Sequence, residues 1–353
     1  MAGTARGRKS SGKATITDVA AVAGVSVAAV SKVINGKGGI SEPTRQRVLA
    51  AADKLQWSPS AAAVALRGAR TRALGMVVGR GADLLTADPH FALLISGVES
   101  ELAPLDYGLL LHIVGEEPEA EVRAYRRLAE ERRVDGVILT ESRIGDPRFD
   151  LVRRLRLPAV LVGRPWQEDP IPHVQAAGQD AGLREAIGHL VELGHRRIAY
   201  VSGPEDKVHT TFRRKVVESC LSEHGLRPSH VVVGEFTAQD ATAAVGRMAE
   251  PADDRPTAIL FGNDTMAVAG INAARRLGLD VPRDLSVIGY DDLPLGELVY
   301  PRLTTVNQDI EQLGRAAANE LLGLLEESGA GPVAAPRPPR LVVRESTGPV
   351  PAS

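Results

Sequence analysis

Four polar side chains, Ser26, Ser31, Lys32 and Asn35, fall within ten residues, at spacings that put them on the start and outer faces of one short helix. Their chemistry is hydrogen bonding to anions and to base edges. A serine at a helix start, together with the N–H groups there, can hold a phosphate. The lysine ammonium suits the guanine acceptors of a major groove. A further polar side chain, Asn263, stands just past the apolar run Ala258–Phe261 and Gly262, where it could both donate and accept. Nothing comparable points to catalysis. The chain has no G-x-x-x-x-G-K-[ST], H-E-x-x-H or G-x-S-x-G. Cys220 is the only cysteine, which excludes an intramolecular disulfide and a metal-thiolate cluster and leaves a free thiol on a helix. The eight histidines are scattered, and His195 in Gly-His-Arg-Arg reads as structural. No catalytic residue, metal site or cofactor is expected.

The elements that must position the first group are two short helices and a turn. Thr15 opens a T-x-x-D capping box with Asp18, and apolar Ile16, Val19, Ala20 and Ala23 follow at helical spacing. Gly24 permits the left-handed conformation that ends a helix, and Ser26 caps the next, from Val27 to about Asn35. This spacing predicts a helix-turn-helix, whose second helix enters a DNA major groove. A packed helical pair without DNA is the competing reading. A third helix fits Ser41 to Leu55, with Ser41 as its cap, Pro43 in the first turn, and Val48, Leu49, Ala52 and Leu55 on one face.

Charge separates the two readings. The first 72 residues hold twelve Lys and Arg against only Asp18, Glu42 and Asp53, a net +9, so the remainder carries −11 of a formal total of −2. A polyanion-binding head on a body that does not bind polyanions has this asymmetry. Residues 1–14, rich in Gly, Ser, Arg and Lys without an apolar core, read as a disordered basic arm and as neither signal peptide nor membrane anchor, which implies a cytoplasmic protein. There Arg6, Arg8, Lys9 and Lys13 add salt-sensitive phosphate attraction or simply a solvated surface.

The run Thr17-Asp-Val-Ala, Ala23-Gly-Val-Ser, Val30-Ser-Lys-Val-Ile-Asn35 and Ser58-Pro-Ser-Ala resembles the head of the lactose-repressor (LacI/GalR) family of bacterial transcription regulators. The resemblance extends through nearly the whole chain. It implies an all-α helix-turn-helix DNA-binding domain over 15–60 and a hinge helix and linker over 61–72. DNA contacts would come from Thr17, Ser26, Val27, Ala28, Ser31, Lys32 and Asn35, and from Ala63 and Leu66 of the hinge. Nine Ala-rich residues, Ala61 to Ala69, are too few for a stable isolated helix. Pairing across a dimer would order them and push Leu66 into the minor groove as a wedge; a packed linker leucine is the alternative. Where relatives often carry base-reading side chains this chain has Val27 and Ala28, which donate no hydrogen bond and could only meet thymine methyls or simply fit. That shifts weight to Lys32, the wedge and DNA deformability.

From Ala73 apolar runs such as Leu74–Val78, Gly136–Thr140 and Leu285–Gly289 alternate with helical stretches such as Phe91–Ala103 and Thr265–Leu277, the βαβ rhythm of doubly wound sheets. The length suits two lobes. The resemblance implies an α/β two-lobed core over 73–353, similar to type I periplasmic binding proteins, that binds an effector and dimerises. Fragments in matching order include Asp88-Pro-His-Phe91, Phe261-Gly-Asn-Asp-Thr-Met-Ala267 and Ile288-Gly-Tyr-Asp-Asp292. On these matches Arg213 is the pocket arginine, Asp291 the pocket acid, and Phe91 and Phe236 flat apolar walls, joining Asn263 just beyond strand ends. A plain Arg213–Asp291 ion pair and ordinary packed phenylalanines are the alternatives. Ala177-Gly178 replaces a frequent Asp-Asn, and Val216 a frequent Gly. No leucine heptad follows Leu341–Thr347, so no tetramerising coiled coil is expected, and 332–339 reads as an extended connector.

The expectation is therefore a homodimeric repressor, without membrane attachment, released from a palindromic double-stranded DNA operator by a small effector, a sugar or sugar derivative. The rivals are a solute-binding protein without DNA function, which leaves the basic head unexplained, and a constitutive repressor with no effector.

Overall fold

Among the described residues the first unit, which ends at Thr71, holds α1 (Ile16–Ala23), α2 (Val27–Ile34) and α3 (Glu42–Lys54). The computed structural model describes residues 14–34, 38–57, 70–81, 88–115, 117–250, 254–326 and 331–350. Asn35, Ala63, Leu66 and the basic arm up to Lys13 lie outside them. The capping box forms: Thr15 N donates to Asp18 Oδ2 at 2.7 Å, and Asp18 N donates back to the Thr15 hydroxyl at 3.4 Å. Gly24 ends α1 at φ 62°, left-handed. The Ser26 hydroxyl accepts from Ala29 N at 3.2 Å, which caps α2.

Two expectations for α3 need correction. Ser41 precedes it, but its hydroxyl meets Thr44 Oγ1 at 2.9 Å instead of a backbone N–H. Leu49 is 47% exposed, and Ala51 takes its place on the inner face with Val48, Ala52 and Leu55. That set is spaced i, i+3, i+4, i+7, one contiguous helical stripe, and Leu49 lies one residue off it. Val19, Val30 and Val48 are fully buried where the helices meet. Each such side chain is worth about 1.5–3 kcal/mol of apolar transfer.

The second unit begins at Arg72 and contains two sheets. The first joins β1 (Ala73–Val78), β2 (Gly108–Ile113), β3 (Gly136–Leu139), β4 (Ala159–Val162) and β5 (His173–Val174), all parallel, in the order β2-β1-β3-β4-β5. Helices α4 (Pro89–Leu102), α5 (Pro118–Glu130) and α6 (Pro147–Leu155) connect its strands. After β5 the chain crosses to α7 (Ala181–Glu192), β6 (Ile198–Ser202), α8 (Val208–Glu223), β7 (Val231–Val233), α9 (Ala238–Met248), β8 (Ala258–Phe261), α10 (Asp264–Arg276), β9 (Ser286–Tyr290), the short α11 (Leu295–Leu298) and β10 (Thr304–Asn307). It then returns to the first lobe as α12 (Ile310–Leu324), and comes back once more through an extended stretch to β11 (Arg340–Val342). The second sheet runs β11-β10-β9-β8-β6-β7, antiparallel only at β11.

Because α12 belongs to the first lobe, its Ile310, Leu313, Ala317 and Leu321 share one core with Leu74, Phe91, Leu94 and Val98. Glycines let α12 and α4 approach. A Cβ at Gly97 would lie 2.0 Å from the Glu311 carbonyl oxygen, and one at Gly314 would lie 2.3 Å from that of Leu94. His195 is fully buried, with ring nitrogens 2.9 Å from Thr257 Oγ1 and 3.0 Å from Ser286 Oγ, and it ties β8 and β9 together. Among the described residues no single helix is long and apolar enough to cross a membrane.

Candidate functional site

In the first unit Ser26, Val27, Ala28 and Lys32 are exposed, whereas Val30 and Val33 of the same helix turn inward. Ser26 spends a lone pair on its cap and keeps its hydroxyl proton to donate. Thr17 is exposed on α1 and Ser31 half-buried on α2. The outer face of α2 thus opens with two aliphatic residues and carries its charge one turn later, at Lys32.

In the second unit the parallel strands of both sheets end on one cavity between the lobes, with about 140 Å³ of free space. That is room for a small molecule. The first lobe supplies Arg80 after β1, Asp88, His90 and Phe91 at the start of α4, Glu141 after β3 and Arg164 after β4. The second supplies His209, Phe212 and Arg213 from α8, and Phe236, Asn263, Asp291 and Gln308 past the ends of β7, β8, β9 and β10. All five effector residues chosen from sequence, Phe91, Arg213, Phe236, Asn263 and Asp291, line it.

Their roles differ. The Arg213 guanidinium lies over Tyr290, its Cζ 3.7 Å from the ring centroid, and donates to Gly262 O at 3.1 Å and to Gln308 Oε1 at 3.4 Å. Gln308 donates in turn to Asp291 Oδ1. Gln308 therefore stands between Arg213 and Asp291, and the direct ion pair is not formed. Asp291 is 6% exposed and held at φ 118°, a conformation L-residues rarely adopt. His90 Nδ1 reaches its Oδ1 from the opposite lobe at 3.7 Å. Burial works against the His90 charge, but Asp291 and Asp88 outweigh it and raise the imidazole pKa. Burial likewise raises the Asp88 carboxyl.

Asn263 faces the cavity less freely than its residue type suggests. Its Oδ1 accepts from Met266 N at 2.8 Å, capping α10, and its amide donates to Phe236 O at 3.4 Å. Phe236, at φ 62°, lays its ring over Gly203, where a Cβ would sit 2.0 Å from the ring. The same ring stacks on His209 with centroids 5.8 Å apart. Phe91 is 1% exposed, so it belongs chiefly to the core and shows the cavity only an edge.

Supporting groups hold these side chains in place. Arg80 grips Glu141 through two hydrogen bonds, at 3.1 and 2.5 Å. Although burial raises the Glu141 pKa, this pairing brings it down to about 2. Buried Arg148 is forked onto Asp146 and donates to the Thr140 and Glu141 carbonyls at 2.9 and 3.1 Å, which fixes the end of β3. Fully buried Asp264 accepts from Leu293 N at 2.7 Å and from Thr305 Oγ1 at 2.5 Å, anchoring the turn that presents Asp291. Gly289 must be glycine there, since a Cβ would fall 2.1 Å from Asp264 Oδ1. Asp292 turns away to Arg344 and Asn307, at 2.7 and 2.8 Å.

The lobes also touch directly. An isolated antiparallel bridge joins Arg143 to Lys207, with Val208 N on Ser142 O at 2.9 Å, and Lys207 Nζ lies 3.9 Å from Glu141. Sequence reasoning missed Arg80, Asp88, His90, Glu141, His209 and Gln308. The one available signal was the position of Asp88 and His90 beside Phe91 in a matched fragment. No group of His, Cys, Asp and Glu among the described residues is arranged to hold a metal ion.

Residues 15–60 match the lacI family of bacterial regulatory proteins, and residues 187–347 match a periplasmic binding protein-like domain. The HTH-type transcriptional repressor PurR of Photobacterium profundum is 34% identical over 94% of this chain and 98% of its own length. Among solved structures, the lac repressor dimer bound to operator and the anti-inducer ONPF superposes with a TM-score of 0.82 at 28% identity, covering 96% of this chain and all of that one. The transcriptional regulator CelR in complex with cellobiose gives 0.69 at 32% identity, over 94% and 99% of the two chains.

Proposed function

The chain belongs to the lacI family of bacterial regulatory proteins and is a DNA-binding transcription regulator; on that premise we propose a homodimeric repressor, released from a pseudo-palindromic operator by a sugar or sugar derivative bound between its lobes. The observation that carries the effector half is the inter-lobe cavity in which Arg213, Asp291, Gln308 and His90 turn polar groups toward one space beside the Phe236 face. Carboxylate, amide and guanidinium groups beside an aromatic face suit a compact polyol: its hydroxyls both donate and accept, and its C–H face packs on a ring.

The mechanism is a shift of population. A ligand that contacts His90 on one lobe and Asp291 on the other has different affinities for different lobe orientations. The crossing segments carry that preference to the start of the second unit, where it permits or forbids pairing of the hinge segments that hold Ala63 and Leu66. Lost pairing withdraws both Leu66 wedges from the minor groove and weakens operator binding. The head acts through Thr17, Ser26, Val27, Ala28, Ser31, Lys32 and Asn35, the protein works in the cytoplasm where its operator lies, and it performs no catalysis.

Operator selection from random duplex DNA, repeated with a panel of sugars and sugar phosphates, tests this. A recovered palindrome that one sugar weakens is the expected result. An enriched operator that no panel member affects would overturn the effector half, and no enrichment at moderate salt would overturn the whole reading.

A further inference from the structure

The first turn of α2 presents no hydrogen-bonding side chain after its cap. Val27 is 40% exposed and Ala28 is exposed beside it, while Val30 and Val33 of the same helix are buried. A helix of this motif meets base edges with its N-terminal residues. In the major groove every base presents an acceptor or donor that valine and alanine cannot answer, and covering an edge that offers nothing else with aliphatic groups leaves it unpaired at a cost. The one apolar feature on any base edge there is the thymine 5-methyl group.

We propose that Val27 and Ala28 read thymine 5-methyl groups, so that each operator half-site carries T·A pairs opposite the start of α2. Ala28 and Lys32 are four residues apart and share one helix face, so the lysine reaches the next stretch of the same groove. Specificity at the first positions then comes from shape and exclusion of water, and the charged contact follows one turn later. This rests on the reading of α2 as the helix that enters the groove.

The test uses full-length protein and the duplex it selects. Each thymine of a half-site is replaced singly by deoxyuridine, which pairs identically and lacks only the methyl. At one or two neighbouring positions Kd should rise about fourfold, the worth of one buried methyl group. The penalty should shrink in Val27→Ala or Ala28→Gly, because the removed groups touch each other. Val27 is exposed, so Val27→Arg should fold, and it should move the selected base at its position toward guanine. A specific operator on which every deoxyuridine binds within twofold of thymine would refute methyl reading and leave the regulator standing. An undiminished penalty in both variants would also refute it. Selection of no operator would remove the premise itself.

Discussion

His209 is held without charge in the cleft, and that makes stability depend on pH in a calculable way. Burial comes first among the causes, then the positive charge of Arg213; together they lower its pKa from 6.5 to about 3 against the pull of Glu141, with Lys207 and His90 adding to the depression. The unfolded chain therefore binds the proton more readily, and stability is lost as pH falls from 6.5 toward 3. Between pH 7 and pH 5 the unfolded histidine goes from mostly neutral to almost wholly protonated while the folded one stays neutral. The linkage integral is at most about 1.9 kcal/mol, at 1.36 kcal/mol per pKa unit and reduced by residual solvent contact. The assay is urea unfolding at both pH values for the wild type and for His209→Phe, which keeps an aromatic partner for Phe236, with His209→Gln as a smaller replacement. The difference in slope between the wild type and the variants reports this ring together with its coupling to His90. The wild type should lose about 1 to 2 kcal/mol more than either variant over this range. Equal losses, within about 0.3 kcal/mol, would refute the claim that the cleft keeps His209 neutral.

Gly314→Ala should destabilise by about 1–3 kcal/mol despite its better helix propensity, because the new methyl meets a backbone carbonyl; a rise in urea midpoint would show that α4 and α12 do not cross so closely. Asp291→Ala should lower effector affinity at least tenfold, the worth of a charge-assisted hydrogen bond at roughly 1.5–3 kcal/mol, while unliganded operator binding stays within twofold; loss of both would mean a folding defect. Leu298 and Tyr300, two residues apart, are 87% and 75% exposed, and a second copy of the chain is expected to cover them. The double variant Leu298→Asp, Tyr300→Asp should sediment as a monomer, and an unchanged dimer would place the interface elsewhere. At low pH, Glu141→Gln should remove stability that the wild type has above pH 4.5 and loses as pH falls toward about 2. Acid unfolding curves of the two proteins should converge near that limit.

Much of the molecule was legible one residue at a time. The capping box at Thr15 and the left-handed Gly24 are interactions within four residues, so composition at those positions suffices to place them. The alternation of strands and helices, and the placement of Asn263 and Asp291 just past strand ends, follow from periodicity and matched fragments. The errors came where one residue's neighbours decide. Leu49 is the bulkier apolar residue, but the helical stripe through Val48, Ala52 and Leu55 takes Ala51, and the three-helix core buries the smaller side chain. Asn263 looked like a free amide until its helix claimed the oxygen.

The sequence by itself determined the motif, the two-lobed rhythm, the basic head and the residue types able to hold a polar ligand, because each of these is a local pattern or a sum. Only the tertiary structure decided that His90 faces Asp291 and that Gln308 separates Arg213 from Asp291. It also decided that Arg80 and Lys207 converge on Glu141. These groups lie tens to hundreds of residues apart and meet because the chain crosses between lobes and strands of each sheet end together. Which carboxylate faces which cation is then a matter of distance in space, which spacing along the chain does not encode.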